Sequence, residues 1–176
     1  MTHVQSLASL VLSNILITGR CAELQCPELA LKIFNNRPVY RMDLALPAAR
    51  QLLYTLHEAH QLSDVVLLAA VFPLYNLPAL SSDPVSCALL TSACLREVSS
   101  EPAQGIAAAL LSPFKQLLSQ TPPMPLSVGG NRLLESHWMK NAMLSILDSL
   151  VVQGHEVSWV RDWCRQSGYN LPSNIG

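Results

Sequence analysis

DPVSCALLTSACLREVSSEPAQGIAAALLSPFKQLL, residues 83–118, holds two helix starts with a polar turn between them. Asp83 offers a side-chain oxygen to the amides of a first turn, and Pro84 gives up only an N–H that no helical carbonyl would receive. Behind that start Val85, Ala88, Leu89 and Leu95 recur at helical spacing. Ser100-Glu101-Pro102 repeats the signal and opens a second helix through Ala107–Leu111, with a bend expected at Pro113 before Leu118. Two helices this close in sequence pack as a pair.

The same punctuation runs outward in both directions. Toward the N-terminus, a first helix over about residues 4–19 closes at Gly19. Pro27 opens the pattern Leu29, Ala30, Ile33, Phe34, which ends before Pro38. Asp43 caps a helix through His60, with Pro47 in its first turn and the stripe Leu46, Ala49, Leu52, Leu53, Leu56. Ser63-Asp64 starts Val65–Phe72, which stops at Pro73. That run is apolar on every side, so periodicity alone allows a buried strand; no second strand of like quality exists to pair with it, which favours helix. Toward the C-terminus, Gln120–Gly130 with Pro122, Pro123, Pro125, Gly129 and Gly130 reads as a linker. A long helix follows from about Asn131 to Val152, closed by Gly154, and a last one from about Glu156 to Ser167, stopped by Gly168. The expected class is all-α, built from successive antiparallel helix pairs. Its expected divisions are residues 1–120, a linker at 121–130 and a helical hairpin at 131–176.

Half of the 176 residues are apolar and 13% are charged, against about 25% charged in an ordinary globular protein. That leaves much apolar surface to close between helices or against a partner, and it excludes disorder for most of the length. Residues 1–60 carry five basic and four acidic groups, 61–120 two and four, 121–176 four and four, and Gln51–Leu95 has no Lys or Arg. A groove that tracks phosphates needs clustered cations, so the middle third cannot form one alone. Five cysteines (Cys21, Cys26, Cys87, Cys94, Cys164) make an odd number, mostly within apolar helical patterns. They read as small hydrophobes of a reducing compartment. Leu7–Ile17 imitates a signal-peptide core, yet polar residues interrupt it, no basic residue precedes it and no small-residue cleavage site follows. A buried first helix is the better reading. The longest apolar run, Val65–Tyr75, contains Pro73 and falls short of the ~18 residues of a membrane span.

Three segments superpose: Asn14–Phe34, Arg50–Phe72 and Cys87–Phe114. Each has a paired aliphatic step in a first helix (Leu16-Ile17, Leu52-Leu53, Leu89-Leu90), a polar turn, and a shorter helix ending in phenylalanine. The phenylalanines are 38 and 42 residues apart, a period typical of helix–turn–helix arrays. An irregular bundle of similar helices is the alternative. Asn14-Ile15-Leu16-Ile17 and Ala30-Leu31-Lys32-Ile33-Phe34 resemble the Asn-x-Leu-Ile step and Ala-Leu-x-x-Phe core of the pentatricopeptide repeat family, and DPVSCALLTSACL is similar to that family's repeat opening, one residue short. The resemblance spans about residues 10–118, without the family's glycine in the turn between helices. It implies a right-handed α-solenoid, mitochondrial or plastid, that binds single-stranded RNA or serves organelle gene expression. No Arg-rich, acid-poor presequence opens the chain, so a mitochondrial protein would have its true start upstream. The family's base-reading positions fall on Asn14, Arg50 and Cys87, of which only Asn14 is a type the family normally uses.

No catalytic motif is present. His57-Glu58-Ala59-His60 spaces its histidines three apart, not the four of a zinc-protease helix; a solvated helix end is expected there. Cys87 and Cys94 are seven apart, about 10 Å along a helix, too far to share one metal ion. Cys21 and Cys26 lack a second pair. No metal, cofactor or small-molecule substrate is expected, and no enzymatic activity. Arg37, Arg41 and Arg50 form the one local basic cluster and, with Asn14, the candidate RNA contacts. Trp159, Arg161 and Trp163 stripe the last helix: ordinary packing, or a protein-docking face, since tryptophan and arginine are favoured at binding hot spots. The expected role is binding, of single-stranded RNA or a protein partner, in mitochondrial gene expression; the rival is a cytoplasmic helical bundle that associates through its low-charge middle third.

Overall fold

The computed structural model describes residues 28, 29, 32, 53–57, 82–97, 101–127 and 131–173. The chain divides into two compact units, Met1–Asp64 and Val65–Gly176. It is all-α, with no strand among the described residues. In the first unit residues 28, 29, 32 and 53–57 are helical, with Leu53 and Leu56 fully buried, as their stripe predicts. Leu29, read as part of an apolar face, is instead 41% exposed. Of the other N-terminal elements, and of Val65–Phe72, the rest lies outside the described residues.

Among the described residues of the second unit there are four helices: α1 Pro84–Arg96, α2 Glu101–Gln120, α3 Asn131–Val152 and α4 Ser158–Gln166. α1 starts where its sequence says. Asp83 has extended backbone, its Oδ2 accepts from the Ser86 amide at 3.1 Å and from the Ser86 hydroxyl, and Pro84 occupies the first turn. At the other end Gln153 Nε2 donates to the Leu95 carbonyl at 3.2 Å, filling one of the acceptors that every helix end leaves open. The expected stripe of α1 is only part of its buried surface. Ser86, Leu90, Thr91, Ser92, Ala93 and Cys94 are buried as well, so this helix is enclosed on all sides. Among the described elements α3 packs against it more extensively than α2.

α2 packs against α1 and buries Ala103, Ala107, Phe114 and Leu118 at helical spacing. Gln104, Gly105, Ala108, Ala109, Ser112 and Pro113 face outward. Pro113 does not end the helix, which continues through Gln120. On the exposed side water can receive the carbonyl that a proline leaves without a donor. α3 buries Met139, Ala142, Met143, Ile146, Leu147 and Leu150 in one continuous stripe. Each of the Met, Ile and Leu side chains removed from water stabilises by about 1.5–3 kcal/mol before entropy is counted.

α3 and α4 end alike. Gly154 and Gly168 have φ of 74° and 75°, the left-handed region that glycine enters without steric cost. After α3, His155 N–H donates to the Leu150 carbonyl (2.9 Å) and Gly154 N–H to Val151 (3.1 Å). After α4, Tyr169 N–H donates to Cys164 (3.0 Å) and Gly168 N–H to Arg165 (3.0 Å). Both are Schellman closures, at the two glycines where the sequence places the stops. No helix among the described residues is long and apolar enough to cross a membrane.

Candidate functional site

α4 carries the three residues that the sequence offers for docking, and the structure gives them different surroundings. Trp159 is half-buried at a corner with α2, its ring edge-on to Phe114 at 6.0 Å between centroids, with the Lys115 ammonium 5.9 Å above it. Glu156 lies just ahead of α4 and accepts from the Ser158 amide at 2.6 Å, and its other oxygen is 4.0 Å from Lys115 Nζ. The hydrogen bonds from Ser158, with Lys115 and Arg161 beyond them, hold the Glu156 carboxyl below its usual range. Arg161 is half-buried, and its Nε is enclosed with no hydrogen-bond partner. Trp163 faces inward and is 6% exposed.

What covers Trp163 is the proline-rich segment that the sequence presents as a linker. Its indole N–H donates to the Thr121 carbonyl at 3.0 Å. Two residues of the α4 closure then hold Met124 by both of its backbone groups. The Met124 N–H donates to Ser167 Oγ (3.0 Å), and the Tyr169 hydroxyl donates to the Met124 carbonyl (2.6 Å). The two side chains thus take hold of Met124 from its N–H and its carbonyl at once. Burial, with Cys164 close by, keeps the phenol protonated far above neutrality. Trp163 and Tyr169 stand edge-to-face, centroids 5.9 Å apart. Farther along, the Ser127 N–H donates to Ser136 Oγ of α3 at 3.3 Å. Thr121–Ser127 is therefore a strap over the end of α4.

Ser167, Tyr169 and Ser136 are functional-looking residues that pattern reading misses. For Tyr169 a signal exists. It directly follows the αL glycine, and a residue there folds back on the last helical turn. Nothing local marks Trp163 as the partner of Thr121, forty-two residues earlier.

His57 is buried, 6% exposed, and so is not part of a solvated helix end; it follows Leu53 and Leu56 on the inward side of its helix, where the apolar stripe carries it inside. Glu58 and His60 lie outside the described residues, as do Cys21, Cys26 and the candidate RNA contacts Asn14, Arg37, Arg41 and Arg50. Among the described residues no three His, Cys, Asp or Glu side chains are grouped to hold a metal ion. Cys87, Cys94 and Cys164 are free thiols, and burial pushes them up to about 12, about 11 and about 12; for Cys87 the Asp83 carboxylate adds to the effect. Such thiols are inert at neutral pH.

Of the three superposable segments only Cys87–Phe114 is described over most of its length. It is a packed helix pair, α1 with α2. The second member is longer than the first, however, and Phe114, though buried, sits inside α2 and not at its end. No protein-family model matches the chain, and no curated protein or solved structure matches it either.

Proposed function

We propose that this protein is a degenerate pentatricopeptide-like repeat protein, a right-handed α-solenoid of antiparallel helix pairs. It works by binding, not catalysis, and holds a protein partner in mitochondrial gene expression or complex assembly. One observation carries the reading. The third repeat segment is a helix pair whose first member also packs against the next helix, α3, as repeat arrays bury each unit against its neighbour.

Charge favours a protein over RNA as the partner. Residues 65–176 hold six Lys and Arg against seven Asp and Glu, a surface with no excess of cations to displace counterions from a nucleic acid. RNA contact is the second reading. It rests on Arg37, Arg41 and Arg50 lying close in sequence beside the repeat opened by Asn14.

The test is binding of the full chain to single-stranded RNA at about 50 and about 200 mM salt, beside a light-scattering mass and recovery of partners from mitochondrial extract. The protein-scaffold reading expects little salt-sensitive RNA affinity and a stoichiometric protein partner. Affinity that falls steeply with salt, and weakens on replacing Arg37, Arg41 and Arg50, selects RNA instead. A mass that grows with concentration, without either partner, selects the cytoplasmic self-associating bundle.

A further inference from the structure

The strap is gripped by its main chain. Trp163 reads the carbonyl of Thr121, and Ser167 and Tyr169 read the N–H and carbonyl of Met124, so the recognised feature is an extended backbone and not a particular side chain. Pro122, Pro123 and Pro125 flank the gripped residue and point outward; each fixes φ near −65°, so the segment arrives with little freedom left to lose. Proline-rich peptides dock on grooves lined by aromatic side chains because their backbone is already extended; here a tryptophan and a tyrosine, edge-to-face, both donate to carbonyls of such a segment. Covalent attachment of the segment adds nothing to those bonds.

We infer that Trp163, Ser167 and Tyr169 form a binding site for extended proline-rich peptides, that Thr121–Ser127 occupies it in cis, and that a proline-rich segment of a partner protein takes its place when the strap lifts. The inference does not depend on the repeat assignment, since it concerns one end of α4 alone.

The probe is a fluorescein-labelled peptide spanning Gln120–Val128 of this sequence. In the unaltered full chain the tether holds the strap at an effective concentration on the order of millimolar, so micromolar peptide scarcely competes. A full chain with Pro122→Gly, Pro123→Gly and Pro125→Gly weakens the cis occupant and binds the probe about ten-fold or more tightly than the unaltered chain. Adding Tyr169→Phe removes most of that gain, and the Trp163 indole N–H resonance shifts as the probe binds. A triple variant that keeps its helical circular dichroism yet shows no gain, or a gain indifferent to Tyr169→Phe, overturns the inference. Native-state hydrogen exchange on the unaltered chain decides the matter even if the triple variant does not fold. The Met124 amide is expected to exchange by local opening, faster than the amides of Leu89 and Met143. Exchange in step with them means that the strap leaves only when the whole unit unfolds, and the proposed site is then never vacant.

Discussion

Thr91 is fully buried within α1, and its hydroxyl has no hydrogen-bond partner. A buried hydroxyl gives up its water bonds and here regains none, so Thr91→Val, which keeps the shape, is expected to stabilise by about 1 kcal/mol. Urea unfolding measures this; a clear loss of stability would mean that the hydroxyl is satisfied after all. The buried acids make a second prediction. Cys87, Cys94, Cys164 and Tyr169 all have folded-state titrations raised by burial. A raised group retains its proton in the folded state where the unfolded chain has lost it. Its contribution is therefore fully present below the unfolded pKa and lost as pH climbs through the folded one. Stability should be level near neutrality and decline from about pH 8.5, where free thiols ionise, and further above about pH 10, where free phenols do. In parallel, a thiol reagent at pH 8 should modify Cys94 and Cys164 only as fast as the fold opens, followed by peptide-mapped mass spectrometry. Rapid labelling of either in the folded protein would contradict their burial.

Helix ends in this chain are local events. Asp83-Pro84, Gly154 and Gly168 were legible because a cap needs only its own few residues: an acceptor for orphan amides, or a glycine for a positive φ. Glycine substitutions separate that requirement from mere presence. At Gly168, with φ of 75°, a Cβ costs roughly 1–2 kcal/mol in backbone strain. At Gly105, inside α2, a Cβ would meet nothing within 4 Å, so Gly105→Ala should raise stability by about 0.5–1 kcal/mol by restricting the unfolded chain. Thermal melts of the two variants should move in opposite directions; movement the same way would refute one of the two assignments. Faces of helices were less legible than ends. α1 is buried nearly all round, so the stripe read from it undercounts what it buries, and no period in it announces which helices pack against it. His57 shows the converse: a polar residue beside a stripe is drawn inside with it.

At the scale of the molecule, the packing of α3 decides where the chain can be cut. Its principal partner is α1, on the far side of the proline-rich segment, and α4 contributes less. Residues 65–176, which form one compact unit, should therefore unfold cooperatively when expressed alone. Residues 131–176 alone should not, because Met139, Met143, Ile146 and Leu147 lose the helix that covers them. Near-ultraviolet circular dichroism and denaturant titration of both fragments test this, and a cooperative transition in 131–176 is the result that sinks it. The proline-rich stretch looks like a separator because prolines bar regular structure. Barring a helix is not the same as barring contact, and a segment with a fixed, extended backbone suits side chains that reach for carbonyls.

By itself the sequence determined the class of the fold, the starts and stops of its C-terminal helices, and the thinness of its positive charge, because caps, breakers and composition act within a few residues or over the whole chain at once. Only the tertiary structure decided that α1 packs against both α2 and α3, that His57 is inside, and that Trp163 turns from the docking stripe to the chain's own strap, where Tyr169 joins it. Those outcomes depend on which of several equally apolar faces meet across forty or more residues, and hydrophobic attraction, being non-directional, leaves no record of that choice in the local pattern.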